Sequence, residues 1–325
     1  MKLPHRRFLH LAAGAAALAC SVTPALLSSA WSQPARTVKI IVPLAPGGAA
    51  SVLARLLADQ IGSMPGVTAV VENRPGGGTA IGTVAVARSA PDGNTLLITN
   101  PGILINAHLR NQDYDPLTSF EPVCKLVSLP NVLAVNSGSP YRTLTDLINA
   151  ARAKPGALTL ATFTASSSHI AFESLKRKAN VDITFVPYPG SAPAVTALLG
   201  GHVTAMVDNY ATMGEHVNAG RLRALATFGR TRVEGLNIPT VGEAGIDMDY
   251  EGWFGLFAPA NVPKEAVLQI VRWTTAAMQA PGVRQKLEPL GLLPPTVCGP
   301  EFAASLRKSY EEFGRTIREA NIKAE

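Results

Sequence analysis

Cysteine, aromatic residues and long apolar runs are all scarce in this chain of 325 residues, and each scarcity excludes something. The only cysteines are Cys20, Cys124 and Cys298, and none stands at zinc-ligand spacing from a histidine. The six histidines contain no HxH or HxxxH pair, so no metal centre is expected. Aromatics make up 6% of the chain, against 28 glycines and 25 prolines, a mix that favours many short elements joined by tight turns. Beyond the N terminus no apolar run approaches the ~20 residues that span a bilayer. Phosphate-binding signatures are missing too. No Gly-Lys-Ser/Thr occurs, and Gly76, Gly78 and Gly82 are spaced one residue too widely for a dinucleotide loop, so no cofactor is expected. The formal charge of +6 includes Lys2, Arg6 and Arg7, and the remaining basic residues are scattered without a run of five. That distribution does not build a nucleic-acid face. With 47% hydrophobic and 16% charged residues, the chain has the composition of a folded protein.

Residues 1–32 carry the pattern of an export signal. Lys2, Arg6 and Arg7 form a basic start, Leu11 to Ala19 a short apolar core, and Ser28 to Ser32 a small-residue cleavage region, with the cut expected after Ser32. Arg6-Arg7-Phe8-Leu9 hints at a twin-arginine signal, but His5 stands where the first arginine belongs, so general secretion remains equally open. Ala17 to Cys20 matches a lipoprotein box poorly. In an oxidising compartment Cys124 and Cys298 could pair or remain two buried thiols; spacing alone leaves both open.

Along the rest of the chain, short apolar runs alternate with helical periodicity. Strands are expected at 37–42, 67–72, 95–99, 123–127, 132–135, 158–162, 183–186, 203–207, 222–227 and 253–258, with helices between most of them and a last helix striped by Phe302, Leu306, Tyr310, Phe313 and Ile317. The order predicts two α/β blocks, 33–136 joined by 252–325 and 137–251, linked by two crossings near Asn136 and Gly252 that would act as a hinge. Ligands in such folds bind beyond the carboxyl ends of strands. Those ends carry Gly47-Gly48, Gly76-Gly77-Gly78, Asn100 and Ser166-Ser167-Ser168. Amides at helix starts bind anions. A Ser-His-Asp hydrolase finds little support. Ser168 and His169 are helix neighbours that cannot face each other, although Ser166 or Ser167 with His169 stays open, and no G-x-S-x-G elbow occurs. Asp208, ending an apolar strand, is either a ligand contact or a helix cap.

Short motifs in a fixed order then carry a resemblance. Pro46-Gly47-Gly48, Val71-Glu72-Asn73-Arg74-Pro75-Gly76, Pro91-Asp92-Gly93 and Tyr114-Asp115-Pro116 come first. Val186-Pro187-Tyr188, Leu198-Leu199-Gly200-Gly201, Pro239-Thr240-Val241 and Trp253-Phe254-Gly255-Leu256 follow. The chain resembles the substrate-binding proteins of tripartite tricarboxylate transporters, the TctC/Bug family. The resemblance implies a two-lobed α/β periplasmic binding protein of type II kind, each lobe a mostly parallel sheet flanked by helices. It implies a monomer that catalyses nothing, binds a small carboxylated solute in the periplasm and serves integral-membrane transporter subunits. Its carboxylate would sit between two loops, on backbone amides and ordered waters, with no need for an arginine clamp. The first loop supplies Leu44, Gly47, Gly48, Ala49 and Ser51, with Asn100 nearby. The second supplies Thr162, Ser166, Ser167 and His169, joined by Tyr188 and Asp208. The chain departs from the family at Ser51, at Phe163 and Ala165, and at Pro189 in place of a lysine. The added bulk of Phe163 implies a solute less polar than citrate, such as an aromatic or branched monocarboxylate. A sensor component feeding a signalling receptor would share every pocket feature, and a Ser/His hydrolase of the same shape is the remaining alternative.

Overall fold

The computed structural model describes residues 36–162, 166–188, 190–230, 232–233, 237–293 and 296–323. The export signal and the departures at Phe163, Ala165 and Pro189 lie outside the described residues. From Arg36 onward the chain forms one compact unit.

An apolar run stopped by proline suits a strand covered on both faces. Arg36–Val42 is such a strand, β1, with Val38, Ile40, Ile41 and Val42 buried. Next come α1 (Ala49–Gly62), β2 (Val67–Asn73), a 3-10 turn at Gly77–Thr79, α2 (Ala80–Ala87), β3 (Thr95–Thr99) and α3 (Gly102–Leu109). Sequence periodicity missed α3. Its GILINAHL segment has no polar face, and Ile103, Leu104, Ile105 and Asn106 are all buried, so the helical repeat is hidden. The chain continues through β4 (Phe120–Leu129), β5 (Asn131–Asn136), α4 (Leu144–Ala153), β6 (Thr159–Thr162) and α5 (Ser167–Ala179). It goes on through β7 (Thr184–Pro187), α6 (Ser191–Leu199), β8 (Ala205–Asn209), α7 (Tyr210–Asn218) and β9 (Leu222–Thr227). Then β10 (Gly252–Pro259), α8 (Lys264–Gln279), α9 (Val283–Leu287), β11 (Val297–Cys298) and α10 (Pro300–Glu319) complete the fold.

Two sheets form, one per lobe: β11-β4-β10-β3-β1-β2 and β7-β6-β8-β5-β9. The expected mostly parallel sheets are mixed instead. β1 runs parallel to β2 and β3, but β10 returns antiparallel between β3 and β4. In the second sheet β6 is parallel to β7 and β8, while β5 lies antiparallel to β8 and β9. The reversal arises where the chain changes sheets. β4 ends in the first sheet and β5 starts in the second across Pro130, whose missing N–H interrupts ladder pairing. The sheets therefore exchange chain at Pro130, ahead of the crossing expected near Asn136, and again before Gly252.

One core cluster runs through both lobes, from Leu133, Phe172 and Phe228 to Trp253, Phe257 and Phe302. The C-terminal helix α10 buries Phe302, Leu306, Phe313 and Ile317, the stripe read from sequence. It touches both lobes. Tyr310 stacks on His108 of α3 with centroids 4.0 Å apart, and Thr316 meets Ser174 of α5 at 3.0 Å. Gly314 makes the first contact possible, because a Cβ there would sit 2.4 Å from the His108 ring. Cys124 of β4 and Cys298 of β11 are joined as a disulfide, which closes the alternative left open by sequence and suits an oxidising compartment.

Candidate functional site

A cavity of about 430 Å³ opens between the lobes, within the range of small-molecule sites. Strand-end loops of the first lobe, loop residues of the second and the crossing strands between them each form part of its wall. The first lobe supplies Pro43, Leu44 and Ala45 after β1, Gly76 to Thr79 before α2 apart from Gly77, and Asn100 to Gly102 after β3. The second supplies Ser166, Ser167 and Asn209. Leu129, Gly252, Trp253 and Phe254 come from the strands that cross between the sheets.

Four of the expected residues, Leu44, Asn100, Ser166 and Ser167, thus meet on one cavity. The others stand behind it or beside it. Gly47, Gly48 and Ala49 lead into α1, which starts with no side-chain cap, the Ser51 amide donating to Gly48 O at 2.9 Å. Ser51 is buried, and its Oγ accepts from Asn73 Nδ2 at 2.8 Å. Asn73 also donates to Leu44 O at 2.9 Å, so it braces the first loop from β2. Thr162 is buried at the end of β6, where its carbonyl accepts from the amide of half-buried Tyr188. Asn100 Oδ1 accepts from Gly102 N at 2.9 Å and so shapes the start of α3.

In the second lobe Ser166 caps α5, its Oγ accepting from His169 N at 3.0 Å. The next turn is tied inward, because Ser168 Oγ donates to Asn131 Oδ1. The His169 ring stacks on Phe185 with centroids 4.2 Å apart, and Nε2 lies 3.9 Å from Glu173 Oε1. Burial, assisted by Lys176, pushes the His169 imidazole down to about 4. Burial also raises the Glu173 carboxyl, opposed by Lys176, whose Nζ lies 3.4 Å from Oε1. Asp208 is fully buried beneath the mouth and does not line the cavity. Its Oδ1 accepts from Asn209 N at 2.7 Å. Burial raises its pKa, opposed by the polar neighbours Ser191, Asn209, Thr212 and Ser168.

Sequence reasoning left out much of this wall. The triple glycine stands among the strand-end loops expected to bind an anion but not among the site residues that the resemblance implies, and Gly76, Gly78 and Thr79 line the cavity. Asn106 and Arg110 come from the unrecognised helix α3 and its end. Arg110 is the only charged residue among the described residues that line the cavity, where no arginine was expected. No group of three His, Cys, Asp or Glu able to hold a metal ion occurs among the described residues.

A cavity bounded by strand-end loops of two lobes is the architecture of a solute-binding protein. Residues 53–321 match the profile of the tripartite tricarboxylate transporter family receptor, TctC. The chain belongs to the TctC family. Its members are periplasmic solute-binding proteins. A UPF0065 protein from a Pseudomonas species is 36% identical over 86% of this chain and 84% of its own length. BugT of Bordetella pertussis is 32% identical over 91% of this chain and 92% of its own length. Among solved structures, a Polaromonas TctC solute-binding protein without ligand superposes with a TM-score of 0.81 at 24% identity, covering 88% of this chain and 99% of its own, which bears on the fold. An R. palustris protein solved with adipate shares 32% identity at a TM-score of 0.74, over 90% of this chain and 99% of its own.

Proposed function

We propose that this TctC protein captures a small carboxylate between its lobes in the periplasm and delivers it, as a monomer, to the integral-membrane subunits of a tripartite tricarboxylate-type transporter. The reading rests on one observation. Neutral donors from both lobes, the Leu44–Ala45 loop and Ser166–Ser167, line the same cavity. Each lobe alone offers half a site, so a ligand that bridges them favours the closed form. Closure is a hinge motion about the two crossings at Pro130 and Gly252. The lobes that move are the one holding β1–β4, β10 and β11 and the one holding β5–β9. The adipate found with the R. palustris relative supports a carboxylate head group. The walls of Leu129, Trp253 and Phe254 favour a solute less polar than citrate.

A thermal-shift screen of small carboxylates on refolded, ligand-free protein tests this. At 100 times its dissociation constant a true ligand adds about 2.7 kcal/mol, a clear rise in melting temperature. The same ligand should make the particle more compact in small-angle scattering. No shift with any carboxylate at millimolar concentration would end the proposal.

A further inference from the structure

We infer that Asn209 sets the angle between the lobes, bearing from the cavity wall directly on Gly252 at the second crossing. The inference rests on the hinge proposed above and holds for any solute. It starts from where β8 ends. Asn209 faces Asn131 across the β5–β8 ladder, and the next amide, Tyr210 N, donates to Pro130 O at 2.8 Å. The end of β8 is thereby fastened to the first crossing.

The Asn209 side chain turns to the second crossing. Asn209 stands at the N-cap position of α7, where asparagine is favoured as a cap, yet it makes no cap bond there. Its Oδ1 is buried and has no hydrogen-bond partner among the described residues. A Cβ built on Gly252 would lie 2.9 Å from that oxygen and 3.0 Å from Leu129 O. Gly252 is not among the glycines at positive φ, so glycine is required here for space and not for torsion. Gly252 also faces Leu129 in the β4–β10 register. Its bare α carbon is therefore held between the end of β4 and a side chain of the second lobe.

Asn209, Leu129 and Gly252 all line the cavity, so this contact lies on the cavity side of the pivot. A rotation of the second lobe carries Asn209 with β8. With no side chain on Gly252 to intervene, the amide moves against the crossing itself, and packed groups yield little. Bulk at this point props the lobes apart, and loss of bulk lets them close further. Because the amide is also cavity wall, a solute that touches it acts on the pivot. Asn209 is a positioning residue that works through Gly252.

The test is a pulsed electron-resonance distance measurement on the refolded, ligand-free mature chain. Spin labels go on Ile81→Cys at the start of α2 and Ala192→Cys at the start of α6, both exposed and one on each lobe, with the Cys124–Cys298 disulfide kept intact. Asn209→Ala should raise the ratio of short to long distances about threefold, and Gly252→Ala should lower it. In the Asn209→Ala background the effect of Gly252→Ala should shrink about threefold or more, because the side chain that its Cβ meets is gone. Asn209→Leu, which restores bulk without the amide, should return the ratio to that of the wild type. If Gly252→Ala does not fold, the Asn209→Ala and Asn209→Leu pair decides alone. A wild-type ratio in Asn209→Ala, no rescue by Asn209→Leu, or fully additive effects of the two alanine substitutions overturns the inference. Adipate is added last. If the variants behave as expected and adipate leaves the wild type unmoved, the inference stands and the result counts against the carboxylate reading alone.

Discussion

The two lobes build their mouths from different materials. In the first lobe left-handed backbone does much of the shaping, braced by the Asn73 and Asn100 side chains. Gly78 and Thr79 sit in the left-handed region at φ +62° and +85°, and α1 opens on Gly48 with no side-chain cap. In the second lobe side chains do it. Ser166 caps α5, Ser168 reaches Asn131, and Asp208 lies buried beneath. The first mouth offers amides whose direction is set by torsion angles. The second offers hydroxyls whose direction is set by hydrogen bonds. The two should therefore fail, and be rescued, in different ways.

The largest effect is expected at Asn131, the fully buried residue just past the first crossing. Its Nδ2 donates to Tyr250 O at 2.8 Å, next to the second crossing, and its Oδ1 accepts from Ser168. Asn131→Ala leaves both partners without it and should cost about 3 kcal/mol in denaturant unfolding of ligand-free protein. A loss under about 1 kcal/mol would show that the second mouth does not hang on this bond network.

Acid should weaken the second lobe through His169. Its folded pKa, about 4, lies below the ordinary histidine value, so the unfolded chain binds the extra proton. The contribution is complete above that ordinary value and is lost as pH falls toward 4. Between pH 6.5 and 5 it amounts to about 1.5 kcal/mol. Glu173 and Asp208, both raised by burial, act with the opposite sign, and Lys176 adds repulsion, so the quantity to measure is wild type minus His169→Gln. A difference that stays flat over that range would remove His169 as the acid-sensitive group.

The smallest effects sharpen the contrast itself. Ser166→Ala should cost about 1 kcal/mol through the lost cap, and Ser166→Asp should restore it. Gly78→Ala should cost about 1–2 kcal/mol through backbone strain, and Gly78→Asn should recover more than Gly78→Val because asparagine tolerates the left-handed region. Rescue of Gly78→Ala by a hydrogen-bonding residue that avoids positive φ would contradict a backbone-built first mouth.

Much of this was legible in the residues. Buried runs such as 37–42 and 95–99 read as strands, and the 302–317 stripe read as a helix. Leu44, Asn100, Ser166 and Ser167 were placed on the strand-end loops that line the cavity. The missed pieces share a cause. Helix α3 exposes no face to solvent, so periodicity could not reveal it, and Asn106 and Arg110 were hidden with it. Asp208 and Ser51 do not line the cavity: they lie in β8 and α1, and their burial depends on what packs over them.

The sequence by itself determined the alternation of strand and helix, the glycine and serine turns at strand ends and the family, because these follow from neighbours along the chain. Tertiary structure alone decided the antiparallel return of β10 between β3 and β4, the bond between Cys124 and Cys298, 174 residues apart, and the place of Arg110 on the cavity. Each of these joins residues that share no local pattern and meet only when the chain buries one common core.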